Sequence, residues 1–256
     1  MQTLFTSSID VAQVTLYGFW IFFAGLVFYL RREDKREGYP LQYEEPGRYS
    51  GWGFPVPPGP KDYLLRDGHT STVPNWKNDR REVPLAPTAP WPGSPYVPTG
   101  NPMLDGVGPA SYAAREDVPE LTVDNLPAIV PMRVDPTLSI AAEDSDPRGM
   151  AVVGADHEIG GNVSEVWVDR AEMIVRYLEV EVAGATGRHV LLPMTMSKVD
   201  AFRRRVVVES ILGRQFADVP GLANPDQVTK LEEDKIVGYY GGGLLYATAA
   251  RQEPLL

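Results

Sequence analysis

The sequence of 256 residues contains no cysteine and three histidines. Without a thiol the chain forms no disulfide, performs no thiolate catalysis and ligates neither an iron–sulfur cluster nor a Cys-attached haem. The histidines, His69, His157 and His189, are too widely spaced to suggest a metal site. Composition therefore argues against several classes of redox and metal protein.

Motifs for phosphate binding and nucleophilic catalysis are also missing. The sequence has no Gly-x-Gly-x-x-Gly, Walker or nucleophile-elbow pattern. Its formal net charge of −10 argues against a nucleic-acid partner, because binding phosphates requires a basic surface. We therefore expect neither a stand-alone enzyme nor a nucleic-acid-binding protein.

Ionised side chains are absent from Val11 to Leu30. A helix of about 20 apolar residues is long enough to cross the hydrocarbon core of a bilayer. A cleaved signal peptide is the alternative, but residues 1–10 contain no Lys or Arg, and Arg31-Arg32 occupies the place of a small-residue cleavage site. The pattern predicts a retained transmembrane helix over residues 11–30.

Basic residues flank this segment on one side only. Arg31, Arg32, Lys35 and Arg36 follow it, whereas none precedes it. By the positive-inside rule, residues 1–10 are periplasmic and the large remainder is cytoplasmic. We predict that these four residues and Tyr39 lie at the membrane interface.

Proline dominates the segment from Tyr39 to about Pro136. Phe54–Pro60, Ala86–Pro92 and Tyr96–Pro98 cannot lie inside helices or central strands. A disordered linker is one interpretation, but disordered segments are poor in aromatic residues, and aromatics recur here. We favour an extended segment that lies against another surface.

The pattern changes to β-strands from about Val152. Arg176–Val182 alternates, with Leu178, Val180 and Val182 on one face, and Gly184–Gly187 predicts a turn to a second strand. That second strand and two further short strands are predicted over Arg188–Met194, Val163–Val168 and Val206–Val208. Short strands separated by turns favour a small antiparallel barrel or sandwich.

A helix is predicted near the C-terminus. Asn224–Gln227 has the pattern of a helix start, with Asn as N-cap and Pro at the first helical position. Apolar residues then recur at helical spacing up to Gly241–Gly243, where we expect the helix to stop.

Leu30–Leu41 closely resembles the juxtamembrane signature of the H subunit of the purple-bacterial photosynthetic reaction centre. Further segments resemble the same family in the same order and cover nearly the whole chain: Pro98–Met103, Asp105–Tyr112, Ile129–Val134, Asp146–Met150, Val166–Arg170, Arg176–Val180, Glu232–Lys235 and Gly242–Ala247. Several independent segments in one order make chance similarity very improbable.

The resemblance implies a membrane-anchored α+β fold. It consists of one N-terminal transmembrane helix, an extended surface segment, a small antiparallel β-barrel of the reaction-centre H type and a C-terminal helix. The expected divisions are a periplasmic N-terminus at 1–10, the transmembrane helix at 11–30, the juxtamembrane and proline-rich segment at 31–136, the cytoplasmic barrel at 137–223, and the C-terminal helix and tail at 224–256.

The resemblance also implies a function. The chain is expected to cap the cytoplasmic face of two pigment-binding subunits of L and M type, to stabilise the assembly, and to carry protons to the secondary quinone during light-driven electron transfer. It has no catalytic set of its own. It is expected in the inner (intracytoplasmic) membrane of a purple bacterium.

Cofactors are expected on the partners alone. The resemblance implies that this chain ligates none, and that the partner subunits hold bacteriochlorophyll, bacteriopheophytin, quinones and a non-haem iron. Membrane lipids, a core antenna ring and a cytochrome subunit are the further neighbours known in such assemblies.

For proton transfer, the resemblance places Glu172 at the position of the family's conducting glutamate. Asp169, Arg176, Glu120 and Arg115 fall at positions of the surrounding charge network. A carboxylate that is partly buried near other charges can have its pKa raised towards the working pH and then pass protons. The alternative is that these residues are solvated surface charges, the commonest fate of Asp and Glu.

One departure concerns the point of proton uptake. Some family members carry surface histidines after the Pro-Glu-Leu that is Pro119–Leu121 here, but this chain leaves only Asp124 ionisable there. Either Asp124 takes over this role, or protons are taken up elsewhere.

A second class of function is a membrane-tethered adapter unrelated to photosynthesis, in which the barrel is a protein-binding module. Co-purification with subunits that absorb in the near infrared distinguishes the two.

Overall fold

The computed structural model describes residues 10–39, 41, 51–66, 68–75, 81–91 and 93–252. The predicted periplasmic tail up to residue 9, parts of the proline-rich segment and the last four residues lie outside the described residues. The chain divides into two compact units, residues 1–80 with 91–93 and residues 81–90 with 94–256.

The regular elements follow one another from the long N-terminal helix to a C-terminal helix. In chain order they are α1 (Val11–Glu33), β1 (Lys61–Leu64), β2 (Thr70–Val73), β3 (Leu85–Pro87), β4 (Tyr96–Pro98), α2 (Pro102–Asp105), β5 (Ile129–Pro131), β6 (Ala151–Val153), β7 (Ile159–Asp169), β8 (Ile174–Val182), β9 (His189–Pro193), β10 (Lys198–Asp200), β11 (Arg205–Val207) and α3 (Lys230–Tyr246).

The predicted transmembrane helix is present as α1, which continues three residues past the predicted Leu30 to Glu33. Asp10 caps it, because its side chain accepts a hydrogen bond from the amide of Ala12 at 2.9 Å. The most apolar stretch of 18 residues within Val11–Arg36 has a mean hydropathy of 1.8, and none of it is buried by the described residues. By length and composition this helix can cross a membrane.

The end of α1 is fixed to the segment that follows it. The Lys35 ammonium is buried and donates to the carbonyl of Trp52 at 2.6 Å. The Arg36 guanidinium donates to the carbonyls of Gly59 at 2.8 Å and Val73 at 3.1 Å. These two basic side chains therefore attach the end of α1 to residues 52–73 of the same chain.

The proline-rich segment is more structured than the sequence predicted. It contains two small antiparallel hairpins, β1 with β2 and β3 with β4, and the single-turn helix α2. Proline is tolerated in such two-stranded ribbons because a residue whose backbone nitrogen faces away from the paired strand donates no hydrogen bond to that strand. Pro87 and Pro98 each stand at the end of their strand.

The second unit is built on a seven-stranded sheet with the strand order β10-β11-β6-β7-β8-β9. β6 pairs with the first half of the long strand β7, and β5 pairs with its second half, so both lie along the same edge of β7. All pairs are antiparallel except β11 with β6, which is parallel. The predicted antiparallel arrangement is therefore correct apart from this pair.

The sheet does not close into a continuous hydrogen-bonded ring among the described residues. Its end strands, β9 and β10, are nevertheless consecutive in the chain, with Pro193 and Lys198 as the facing ends. Five residue steps span at most about 18 Å, so the sheet must curl to bring its two ends together. The result is an open barrel.

The alternation predicted for β8 is confirmed on its apolar face. Leu178, Val180 and Val182 are all buried. Tyr177 and Glu179, on the opposite face of the strand, are buried as well, whereas Glu181 on that face is exposed. The second face of β8 is therefore covered in its middle, which alternation alone did not reveal.

Glu179 is stabilised by a set of donors. Its carboxylate accepts from the indole Nε1 of Trp167 at 2.8 Å and from Arg133 at 3.0 Å, and it lies 2.9 Å from Nδ1 of His189. Burial of a carboxylate is tolerated when its oxygens are paired in this way. His189 is thus a partner of Glu179.

The predicted start of the C-terminal helix at Asn224 is wrong, because α3 begins at Lys230. Thr229 is the N-cap, and Thr229 and Glu232 form a reciprocal capping box. Val228, which precedes the cap, is buried and fixes the point at which the chain enters the helix.

The predicted stop at Gly241–Gly243 is also wrong, since α3 continues through the glycines to Tyr246. The glycines serve close packing. A Cβ on Gly238 would lie 2.8 Å from the carbonyl oxygen of Ala110, and a Cβ on Gly242 would lie 2.5 Å from the Ala110 Cβ. Here the tight contact outweighs the low helix propensity of glycine.

Gly242→Ala is therefore expected to destabilise the protein, although alanine favours helices. Overpacking costs about 1–3 kcal/mol, against a gain of up to about 1 kcal/mol in helix propensity. Urea denaturation of the full chain in detergent, followed by tryptophan fluorescence, measures the difference. Gly241→Ala is the matched control, because its Cβ would meet only the Pro109 carbonyl oxygen at 3.1 Å. Equal stability of the two variants would contradict this explanation.

Candidate functional site

Asp169 ends β7 and organises the turn to β8. Its Oδ1 atom accepts hydrogen bonds from the amides of Ala171 at 2.9 Å and Glu172 at 3.2 Å. Its Oδ2 atom lies 3.4 Å from Nε of Arg176, and the residue is buried. Three of the predicted residues, Asp169, Glu172 and Arg176, therefore meet at one hairpin end.

Glu172 lies exposed at the tip of this hairpin. Among the residues that the structure describes, its carboxylate makes no hydrogen bond or ion pair, while its amide is held by Asp169. The next residue, Met173, has a left-handed backbone with φ of 56°. The turn thus presents the Glu172 carboxylate outward from a fixed backbone.

The segment that contains Arg115 runs beside the first turn of α3. Arg115 lies 3.3 Å from Asp234, and the amide of Lys230 donates to the Val118 carbonyl at 3.0 Å. The Thr229 hydroxyl also contacts the carboxylate of Asp117 at 2.6 Å. Arg115 is thereby placed against α3, which is a different element from the β7–β8 hairpin of Asp169, Glu172 and Arg176.

Glu120 and Asp124 lie on an exposed loop closed by a bridge between Leu121 and Pro127. The loop is joined to the β7–β8 turn, because the amide of Arg170 donates to the Ala128 carbonyl at 2.8 Å. The structure therefore brings this loop next to the hairpin of Glu172. No described side chain pairs with the Asp124 carboxylate.

A cleft of about 510 Å³ lies between the segment around Arg115, the start of β8 and α3 from Glu233 to Gly241. Its ionisable lining residues are Tyr112, Arg115, Arg176, Tyr177, Glu233 and Asp234. Two arginines and two carboxylates thus share one water-accessible space.

Within the cleft, the Tyr177 hydroxyl donates a hydrogen bond to Glu233 at 2.7 Å. Burial raises the pKa of the Glu233 carboxyl. The Tyr177 hydrogen bond and the charge of Arg176 oppose this rise, the charge of Glu120 adds to it, and Arg115 opposes it again. Burial and the Glu233 charge raise the pKa of Tyr177, so the phenol stays neutral and remains a donor.

The raised pKa of Glu233 predicts a pH-dependent effect of Glu233→Gln. Because the folded state favours the protonated carboxyl, the stability that this group contributes is lost as the pH rises through its folded pKa. Glutamine keeps an acceptor for Tyr177 and removes the buried charge. The variant is therefore expected to gain free energy of unfolding relative to the wild type as the pH rises above the ordinary pKa of a glutamate, so that its advantage is larger at about pH 8 than at about pH 5.

Urea denaturation at both pH values measures this gain. Glu143→Gln is the control, because Glu143 is exposed in a loop. A stability difference for Glu233→Gln that stays constant with pH would contradict the assignment.

Sequence reasoning missed Tyr177, Glu233 and Asp234 as members of the site. The acidic run Glu232–Asp234 was visible as a family segment, but its first residue serves the helix cap. Which of the three carboxylates turns towards β8 depends on the phase of α3, and that phase depends on the true helix start. The capping box at Thr229 was the signal available.

The predicted membrane-interface residues divide into two sets. Arg31 and Arg32 are exposed, and among the described residues Arg31 makes a single distant contact of 3.7 Å, with Asp34. Lys35 and Arg36 instead point to backbone carbonyls, and the Lys35 ammonium lies 5.2 Å from the centre of the Tyr39 ring. Contact with the membrane by these residues stays a prediction.

Exposed apolar side chains neighbour Glu172 and Asp124 in the sequence. Met173 is 68% exposed and Ile174 is 44% exposed beside Glu172, while Val123 is 86% exposed beside Asp124. We call Val123, Leu126, Met173, Ile174 and Val175 the apolar collar. Exposed apolar surface grouped around acidic residues is typical of a protein-interaction face.

Taken together, the fold and the site define a chain with one N-terminal helix long and apolar enough to span a membrane, followed by a unit with an open β-barrel and a cleft lined by carboxylates and arginines. Comparison with protein families gives the particular class. The family model described as the photosynthetic reaction centre H-chain N-terminal region matches residues 3–134, and that of the PRC-barrel domain matches residues 140–215. The chain belongs to the photosynthetic reaction-centre H-chain family.

Membership confirms the family resemblance and the fold class that it implied. Members of this family are structural, non-pigment-binding subunits of the reaction centre. In the part of the chain that the structure describes, no group of three or more His, Cys, Asp or Glu side chains could hold a metal ion.

Proposed function

We propose that this chain caps the cytoplasmic face of the two pigment-binding subunits, of L and M type, and delivers protons to the secondary quinone held there. The observation that carries the proposal is the acidic cluster that extends from the exposed turn of Glu172 to the cleft at Glu233. The domain boundaries and the orientation predicted from the basic flank belong to the same proposal.

The order of contacts supports a proton path. Asp169 accepts a hydrogen bond from the backbone amide of Glu172 and pairs with Arg176, and Arg176 and Tyr177 line the cleft that contains Glu233. Arg176 lies between the carboxylates of Asp169 and Glu233 and offsets part of their negative charge. Such groups, together with water in the cleft, can pass protons by successive hydrogen-bonded steps.

The cleft supplies a point of uptake for a chain without surface histidines in this region. Glu233 lies in a water-accessible space, and burial raises its pKa above the usual range of a glutamate. A carboxyl with a raised pKa keeps its proton to a higher pH than an ordinary glutamate and can release it when the local charge changes. We therefore place uptake at Glu233, with Asp124 on its exposed loop as the second candidate.

The apolar collar supports docking at the Glu172 end. Once the collar is covered by a partner, Glu172 loses contact with bulk water, while Asp169 still holds the backbone of its turn. A sealed end and an open end are what a proton path to reduced quinone requires, because bulk water must be excluded from the quinone.

This assignment leaves the cofactors to the partners. We propose that the pigment-binding subunits hold the bacteriochlorophyll, bacteriopheophytin, quinones and non-haem iron. An antenna ring and a cytochrome subunit are further neighbours in the proposed complex, which lies in the inner (intracytoplasmic) membrane of a purple bacterium.

Selective removal of this chain from the purified complex tests the function. The second electron transfer to the secondary quinone and the associated proton uptake are expected to slow on removal and to recover when the chain is added back. Unchanged flash-induced proton uptake in the depleted complex would contradict proton delivery by this chain.

A further inference from the structure

An exposed phenylalanine lies against the transmembrane helix in the first unit. The rings of Phe54 and Phe28 are 5.6 Å apart between centroids, yet Phe54 is 86% exposed. Val56, two residues further on, is 65% exposed. A phenyl ring in this state leaves most of its apolar surface without cover.

The position of Phe54 is fixed by contacts on both sides. Lys35 holds the carbonyl of Trp52, and Arg36 holds that of Gly59. Both donors belong to the turn that directly follows α1. The loop between Trp52 and Gly59 is therefore attached to the end of the helix, and Phe54 cannot move far from it.

The depth of the ring pair follows from helix geometry. Phe28 precedes Arg31 by three residues, which places its Cα about 4.5 Å further towards the helix N-terminus. Side chains on a helix also incline towards the N-terminus. The Phe28 and Phe54 rings thus lie on the apolar side of Arg31, whose exposed guanidinium belongs at the level of the lipid head groups.

We propose that Phe54 inserts into the acyl-chain region of the leaflet on the Arg31 side, so that the chain holds the bilayer by a second apolar contact beside its helix. The exposed surface of Phe54 is continuous with that of α1, which is itself open to lipid. The carbonyls of Trp52 and Gly59 already have charged donors, so the loop carries fewer unpaired backbone groups towards the membrane.

Single-cysteine labelling of the complete complex in lipid nanodiscs tests this inference, because the natural chain has no cysteine. A nitroxide at Phe54→Cys is compared with one at Val27→Cys in α1 and one at Thr186→Cys in the exposed β8–β9 turn. The same complex with the cysteine-free chain gives the background from other subunits. Collision rates with oxygen and with a neutral nickel complex report depth.

We expect the oxygen-to-nickel collision ratio at residue 54 to approach that at residue 27 and to exceed that at residue 186 severalfold. A ratio like that of residue 186 would place the loop in water and overturn the proposal. Low collision with both reagents would show a protein contact and overturn it equally.

Two controls keep the result interpretable. Val56→Cys leaves Phe54 in place, and its label is expected at a shallower apolar depth, so the test stands if Phe54→Cys fails to assemble. The Val27 label checks separately that α1 crosses the bilayer, which the proposal requires.

Discussion

Glu172→Gln is expected to slow proton delivery to the reduced secondary quinone on the order of 100-fold, within the range that a positioned acid–base group contributes. A glutamine at this position would keep the size and the hydrogen-bonding capacity of the side chain, but it cannot take up or release a proton. The backbone of the turn is held by the Asp169 carboxylate through the Glu172 amide, so the variant should leave the hairpin unchanged.

Flash-induced proton uptake and the rate of the second electron transfer measure the effect. Glu181→Gln is the matched control, because Glu181 is an exposed carboxylate at the far end of β8, the strand that follows the turn of Glu172. Wild-type rates in Glu172→Gln, or equal slowing in the control, would remove Glu172 from the path. A rate recovered by small permeant acids would support the assignment, since they carry protons past the missing group.

The second large effect is expected from Met173→Asp, which should weaken assembly with the partner subunits without lowering the stability of the folded chain. Met173 is 68% exposed and has a φ of 56°, a left-handed conformation that aspartate adopts more readily than methionine. If the apolar collar docks on the partner subunits, a carboxylate at its centre should cost roughly 2–4 kcal/mol of binding, or about 30- to 1000-fold in affinity.

The yield of intact complex and the affinity in re-addition experiments measure this loss. Phe202→Asp is the control, because Phe202 is 95% exposed at the tip of the β10–β11 hairpin, outside the collar. Reduced yield in Phe202→Asp but not in Met173→Asp would place the docking face elsewhere on the barrel.

The membrane helix and the hairpins could be predicted because their signals are local. A run without charge gives α1, and alternation with glycine turns gives β8 and β9. Both glycines of the predicted turn, Gly184 and Gly187, indeed have positive φ. Such features depend on the residues themselves and little on what packs against them.

The errors concern features that depend on distant contacts. Asn224 and Thr229 both precede a helix-like pattern, and only the reciprocal bonds of Thr229 with Glu232 decide between them. The glycines of α3 signal a stop when read alone, but Ala110 and Ser210, both distant in the chain, turn them into packing positions.

The candidate site also divides into local and distant contacts. Asp169, Glu172 and Arg176 are close in sequence and were predicted together from the family resemblance. The pairing of Tyr177 with Glu233, which was not predicted, joins residues 56 positions apart. The parallel pairing of β11 with β6 likewise joins distant segments. Such contacts result from the closure of the whole unit and leave no local pattern.

The most direct test of the central claim is the absorption spectrum of a complex purified through a tag on this chain from cells that make photosynthetic membranes. We expect near-infrared bands that bleach on illumination, together with two pigment-binding subunits in stoichiometric amounts. A colourless preparation, with the chain present but no pigment-binding subunit bound, would contradict it.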